Sequence, residues 1–311
     1  MKSLITFFIG ILFFSCQLNN SDTKTTDEAP VQYKAVLEKH IVDSEGHPMA
    51  VWEKKAQEPK GVILFIHGRT WSGVPDFDLQ VEGEDLSLMD GMVEQGYSTY
   101  ALDLRGYGGT PRDSTEWLNP DKAAVDVNNV LEWISNKNNE KVHLFGWSMG
   151  STVSLLATQF ESKHIATLTL FGFWMDLDAA FPDDPADKPL EKIINTAEAA
   201  ASDFITPGSI SDKAIDAYVK MALEADPVKV DWRDMKEFRN ISPELIDDVP
   251  VLLMQGELDP IAPTGRQSKL FTRLKTADKS WVVISGGDHA AFMETPRSYF
   301  IQAFTDFIDR F

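Results

Sequence analysis

Val142-His143-Leu144-Phe145-Gly146-Trp147-Ser148-Met149-Gly150, with Thr152 to Phe160 close behind, runs from an apolar segment through a glycine-flanked serine into a helical pattern. Read as a buried strand, a turn and a helix, the stretch places Ser148 on a sharp strand-to-helix corner. Such a corner projects the hydroxyl above a sheet, and side chains two residues to either side would strike neighbouring backbone, so Gly146 and Gly150 stand where glycine is needed. Ser148 is the candidate nucleophile.

A serine hydroxyl needs a base to take its proton, commonly a histidine held by a carboxylate. Gly256-Glu257-Leu258-Asp259-Pro260 follows a strand expected at Val249 to Met254, and Gly286-Gly287-Asp288-His289 follows one at Trp281 to Ile284. Both lie just beyond strand C-termini, where open α/β sheets bind ligands. Of the six histidines, His289 alone follows both serine and acid, and the two glycines before it give its loop freedom to reach inward. Asp259 is the expected acid: Asp288 adjoins His289 too closely to bend back onto its ring, and Glu257 stands nearer the strand end. The oxyanion of an acyl-transfer intermediate needs backbone donors already in place. Met149 N–H at the helix start is one candidate, and Arg69 N–H, in His67-Gly68-Arg69-Thr70 after the strand Val62 to Ile66, is the other. His67 reads as a structural side chain beneath that loop.

Further apolar runs at Ser98 to Leu102 and Ala166 to Phe171 alternate with helical stretches. One of these is Asp121 to Trp133, where Ala124, Val127, Val130 and Leu131, with Ile134 just beyond, form a single stripe. Strand and helix in repetition mean a parallel α/β sheet. Tyr33 to Val42 and Met49 to Lys54 suggest an opening hairpin. Residues 173–248 carry a helical pattern with no clear strand and are expected to form a helical cap, inserted before the strand that carries the acid. Residues 31–172 and 249–311 then make the core.

With Gly146 to Gly150, His67-Gly68 and Asp103-Leu104-Arg105-Gly106-Tyr107-Gly108, a D-x-R-G-x-G loop, the chain resembles the α/β-hydrolase superfamily over roughly residues 33–311. The resemblance implies an α/β-hydrolase fold: an eight-stranded, mostly parallel sheet flanked by helices, its second strand antiparallel. It also implies no metal and no organic cofactor. Serine at position 148 departs from the dehalogenase and epoxide-hydrolase branches, which use aspartate there, and the G-G-S-W-G elbow of proline iminopeptidases is absent.

The formal net charge of −19 repels polyanions and argues against a nucleic-acid partner. Lys2, the apolar run Leu4 to Phe14 and small Ser15 read as a signal peptide over residues 1–15, too short to span a bilayer. Cys16, the one cysteine, resembles the lipidated residue of bacterial lipoproteins, although Phe13 stands where many lipoboxes have leucine. Residues 16–30 then form a polar tether, and the expected location is the cell envelope, with the protein membrane-anchored by its lipid.

The cap from Gly172 to Asp248 carries 18 Asp and Glu against 8 Lys and Arg. Trp147 beside the nucleophile, and Phe173 and Trp174 after a strand end near it, are candidates to line an acyl pocket. The expected substrate is a small-molecule ester, or a small amide, uncharged or cationic. An acyltransferase or aminopeptidase would use the same triad, and a non-catalytic binding protein could keep the same scaffold.

Overall fold

The alternating segments that open the domain form a hairpin of β1 (Leu37–Ser44) and β2 (His47–Lys54), turning at Glu45-Gly46. These and the following elements come from a computed structural model that describes residues 35–185 and 187–311. β3 (Val62–Ile66), α1 (Gly73–Phe77), α2 (Leu88–Glu94), β4 (Ser98–Leu102), β5 (Trp117–Leu118) and α3 (Pro120–Asn138) come next. They lead to β6 (Val142–Trp147), α4 (Met149–Phe160) and β7 (Ile165–Phe171). After α5 (Ala197–Ala201), α6 (Asp212–Ala225) and β8 (Asp231–Trp232), the chain ends with β9 (Val251–Gly256), α7 (Thr264–Arg273), β10 (Lys279–Ile284) and α8 (Arg297–Ile308). Residues 1–34, and with them the signal peptide, Cys16 and the tether, lie outside the described residues.

Eight strands form one sheet in the order β1-β2-β4-β3-β6-β7-β9-β10. β2 runs antiparallel to both neighbours, and all later pairs are parallel. This is the expected α/β-hydrolase sheet. All five residues of β3 are buried, because alternate side chains enter opposite cores. Val62, Leu64 and Ile66 join the core beneath α3 and α4. Ile63 and Phe65 join the one beneath α2 and α8. α3 buries the five residues of the predicted stripe and starts on Pro120, with the Asn119 side chain accepting Lys122 N–H at 3.0 Å.

The segment 173–248 is less helical than its pattern suggests. Two α-helices, 3-10 turns at Met235–Asn240 and Pro243–Leu245, and the two-residue β8 share it with irregular chain. Pro182, Pro185 and Pro189 withhold backbone donors over one irregular stretch. β8 pairs in parallel with β5, which fastens the segment to the loop before α3.

Candidate active site

Ser148 has φ +54° and ψ −118°, a conformation that costs a serine about 1–3 kcal/mol. Its surroundings impose it. Ser148 N–H donates to Phe171 O at 2.9 Å, and Ser151 donates to Ser148 O through both N–H (3.0 Å) and Oγ (2.6 Å). A Cβ on Gly146 would run into the Gly150 carbonyl, and one on Gly150 into the Ile66 carbonyl at the end of β3. The two glycines thus let α4 start at Met149, immediately after the serine. As the first helical residue, Met149 has an N–H with no intrahelical acceptor.

The loops after β9 and β10 bring His289 and Asp259 together: Nδ1 lies 2.8 Å from Oδ2. They are 3% and 5% exposed, so water hardly competes for the bond. The second oxygen, Oδ1, accepts Ile261 N–H at 2.8 Å and Ala262 N–H at 3.1 Å. With a carboxylate accepting at Nδ1, the ring hydrogen sits there and Nε2 is left as the acceptor. The other acids on these loops are engaged elsewhere. Glu257 accepts Ser285 Oγ–H and Gly286 N–H, both at 2.9 Å. Asp288 accepts Thr206 N–H at 2.6 Å and Ala290 N–H at 3.1 Å.

Gly172, at the end of β7, is a site residue that the sequence reading missed. A Cβ there would stand 3.0 Å from His289 Cε1, 3.1 Å from Nδ1 and 3.6 Å from Asp259 Oδ2, and its φ is +62°. Only hydrogen fits between β7 and the imidazole. No local pattern marks it, because the crowding comes from loops far along the chain.

The loop after β3 lies against Ser148: a Cβ on Gly68 would be 3.4 Å from Ser148 Cβ. His67 Nδ1–H donates to Gly68 O at 2.8 Å, and Nε2 accepts Leu104 N–H at 3.1 Å. Burial lowers the His67 pKa to about 4, keeping the ring neutral. Both nitrogens are used, so His67 supports the loop from beneath. Because the peptide is trans, fixing the Gly68 carbonyl turns the Arg69 N–H to the opposite side. Thr70, at φ +106°, completes a strained bend.

Two of the expected pocket residues present no ring to a ligand. Trp147 is 2% exposed; its Nε1–H donates to His289 O at 2.7 Å and its ring packs 5.0 Å from Phe292. It underlies the histidine loop. Phe173 is fully buried in the core, and Trp174 is half-buried against Phe181. Three acidic or phenolic groups unforeseen in the sequence stand close by. Asp76 Oδ2 accepts Gly68 N–H at 3.2 Å, Tyr218 Oη lies 2.9 Å from Asp76 Oδ1, and Asp203 Oδ2 lies 3.2 Å from the same phenol. Burial raises Asp203 to about 6, against the pull of nearby His289.

Among the described residues, Glu38, His40 and Glu53 lie close enough to share a cation, on the β1–β2 hairpin. Glu53 there already accepts from His40, Lys137 and Tyr100.

The family described as serine aminopeptidase, S33, matches residues 57–296. No curated protein matches the chain. Among solved structures, a serine hydrolase involved in carbazole degradation is similar at 19% identity and TM-score 0.62, covering 89% of this chain and 100% of that one. An esterase from Exiguobacterium antarcticum is similar at 16% and 0.60, covering 88% and 100%. The thioesterase domain from the curacin biosynthetic pathway is similar at 16% and 0.62, covering 88% and 99%. At such identities the likeness is one of fold. Family match and fold together make the chain a serine hydrolase of the α/β-hydrolase superfamily, belonging to the family described as serine aminopeptidase, S33.

Proposed function

We propose that the protein cleaves a carboxylic ester, or a small amide, through an acyl-enzyme on Ser148, with His289 as general base and acid and Asp259 as its orienting carboxylate. The observation that carries this reading is the buried 2.8 Å contact of His289 Nδ1 with Asp259 Oδ2. In the reaction, Nε2 takes the Ser148 proton as Oγ attacks the carbonyl carbon, then returns it to the leaving alcohol or amine. Water repeats the sequence to free the acid. Met149 and Arg69 N–H groups receive the oxyanion, each worth about 10²–10³-fold in rate. The esterase among similar structures and the aminopeptidase wording of the family correspond to the alcohol and the amine leaving group. The Asp203 carboxyl, close enough to act on His289, supports an uncharged or cationic substrate.

The test is a fluorophosphonate probe with an ester panel. Labelling and turnover are expected in the wild type, and Ser148→Ala should fold but lose both. Persistent labelling of Ser148→Ala would place the nucleophile elsewhere, and preference for dianionic acyl groups would overturn the substrate class.

For the location, the support is Lys2, the apolar run to Phe14 and Cys16, which together favour export and a lipid anchor. Cys16→Ser should release the protein from membranes with its turnover unchanged. A variant that still fractionates with lipid would rule out this thiol as the anchor.

A further inference from the structure

We propose that Asp76 is a positioning residue for the oxyanion loop, acting as an un-ionised acid within a proton-sharing chain, Asp76–Tyr218–Asp203, that ties this loop to the cap. The inference rests on the acyl-enzyme reading and extends it to side chains that touch no substrate.

The argument begins with a proton count. Tyr218 Oη lies 2.9 Å from Asp76 Oδ1 and 3.2 Å from Asp203 Oδ2, yet a phenol has one hydrogen and donates once. With both acids ionised, one carboxylate oxygen would face the phenol oxygen with no hydrogen between them, in a buried place where such a clash is expensive. A second proton therefore belongs to the chain. Asp76 is its seat. Asp76 is 1% exposed, and burial first, then the charge of Asp203, raises its pKa well above the carboxylate range, with Asp226 adding to the effect. The groups that weigh most on it are Asp203, Tyr218, the Gly68 N–H and Asp226, none of them a cation. Asp203 has the Trp71 indole N–H to favour its charge, joined by His289 whenever that ring is protonated. The Asp76 O–H then donates to Tyr218, and Tyr218 donates to Asp203.

The other Asp76 oxygen accepts Gly68 N–H at 3.2 Å. Two successive peptides are thereby pinned: 67–68 through Asp76, and 68–69 through His67. The second carries the Arg69 N–H. Glycine is the residue least able to hold its own conformation, so without Asp76 the Gly68 hinge can turn and take that donor with it. Tyr218 lies on α6 and Asp203 follows α5, so the cap supplies the far half of the chain. Nothing local marks Asp76, since an acid in the first turn of a short helix reads as a helix-start residue.

Steady-state ester kinetics on purified variants, with thermal melts and fluorophosphonate labelling alongside, test the proposal. Asp76→Ala should lower kcat about 100-fold, the cost of a misplaced donor, with KM within about threefold of the wild type. Asp76→Asn should restore kcat to within about threefold, because its amide accepts from Gly68 and donates to Tyr218 as the neutral acid does. Tyr218→Phe should lose about tenfold. Equal damage from Asn and Ala would show that an ionised carboxylate is needed, and wild-type kcat in Asp76→Ala would remove the positioning role. Should Asp76→Ala not fold, Tyr218→Phe decides in its place: unchanged kcat there overturns the chain. Failure of the wild type to label at Ser148 would overturn the acyl-enzyme reading and this role with it. Intact labelling with Asn no better than Ala would overturn this role alone.

Discussion

At Asp259 the two carboxylate oxygens have separate tasks, one on the imidazole and one on its own loop. Asp259→Asn keeps the shape but can turn an amide N–H toward Nδ1 and force the wrong tautomer. Turnover should fall by about 10⁴-fold with little change in melting temperature, whereas Glu257→Gln, exposed and bonded to Ser285 and Gly286 rather than to the imidazole, should cost under about threefold. The reverse ranking in kcat would move the acid to Glu257. Gly172→Ala would push a methyl to within 3.0 Å of His289 Cε1 at φ +62°. A roughly 100-fold drop in kcat is expected from the displaced ring, and an alanine variant with undiminished kcat would show that the histidine loop gives way. The meeting of His289 and Asp259 was legible in the sequence because each follows a strand end on a loop punctuated by glycine or proline. Gly172, Asp76 and Tyr218 were not, since their meaning lies in partners brought by distant loops. Trp147 and Phe173 were misread as pocket walls because a place beside the nucleophile does not fix which way a ring turns; these two turn inward.

Among the elements, the cap loop and the loop after β10 are joined through a carboxyl pair. Asp288 accepts Thr206 N–H at 2.6 Å, Ser209 Oγ–H donates to Glu294 Oε1 at 2.8 Å, and Asp288 N–H donates to Glu294 Oε2 at 3.0 Å. Burial, and then the Asp288 carboxyl, raise Glu294 from 4.5 to about 8. A carboxyl that binds its proton more tightly when folded contributes stability that is full below its unfolded pKa and is lost as pH rises through the folded one. Melting temperature should therefore fall by several degrees between pH 5 and pH 8.5, at about 2–4 °C per kcal/mol. Glu294→Gln, which mimics the protonated acid, should flatten that fall; an unchanged slope would assign it to other groups. The long elements were readable beforehand, β3 as an unbroken apolar run and α3 by its stripe. β5 and β8, two residues each, are too short to show any period, and Pro182, Pro185 and Pro189 withhold amide donors from the stretch between β7 and α5.

For the molecule as a whole, the net charge is −19, and among the described residues no helix is long and apolar enough to cross a membrane. The order of the strands has its own consequence. β9 and β10 complete the sheet beside β7 only after the chain has passed through residues 173–248, and the loops after these two strands carry Asp259 and His289. Long-range parallel pairing of this kind is slow to form. A chain that stops short of residue 289 therefore has the corner at Ser148 without the paired His289 and Asp259. On the proposed mechanism, turnover is expected only once these strands have joined the sheet, so its emergence during refolding is a clock for the closing of the sheet.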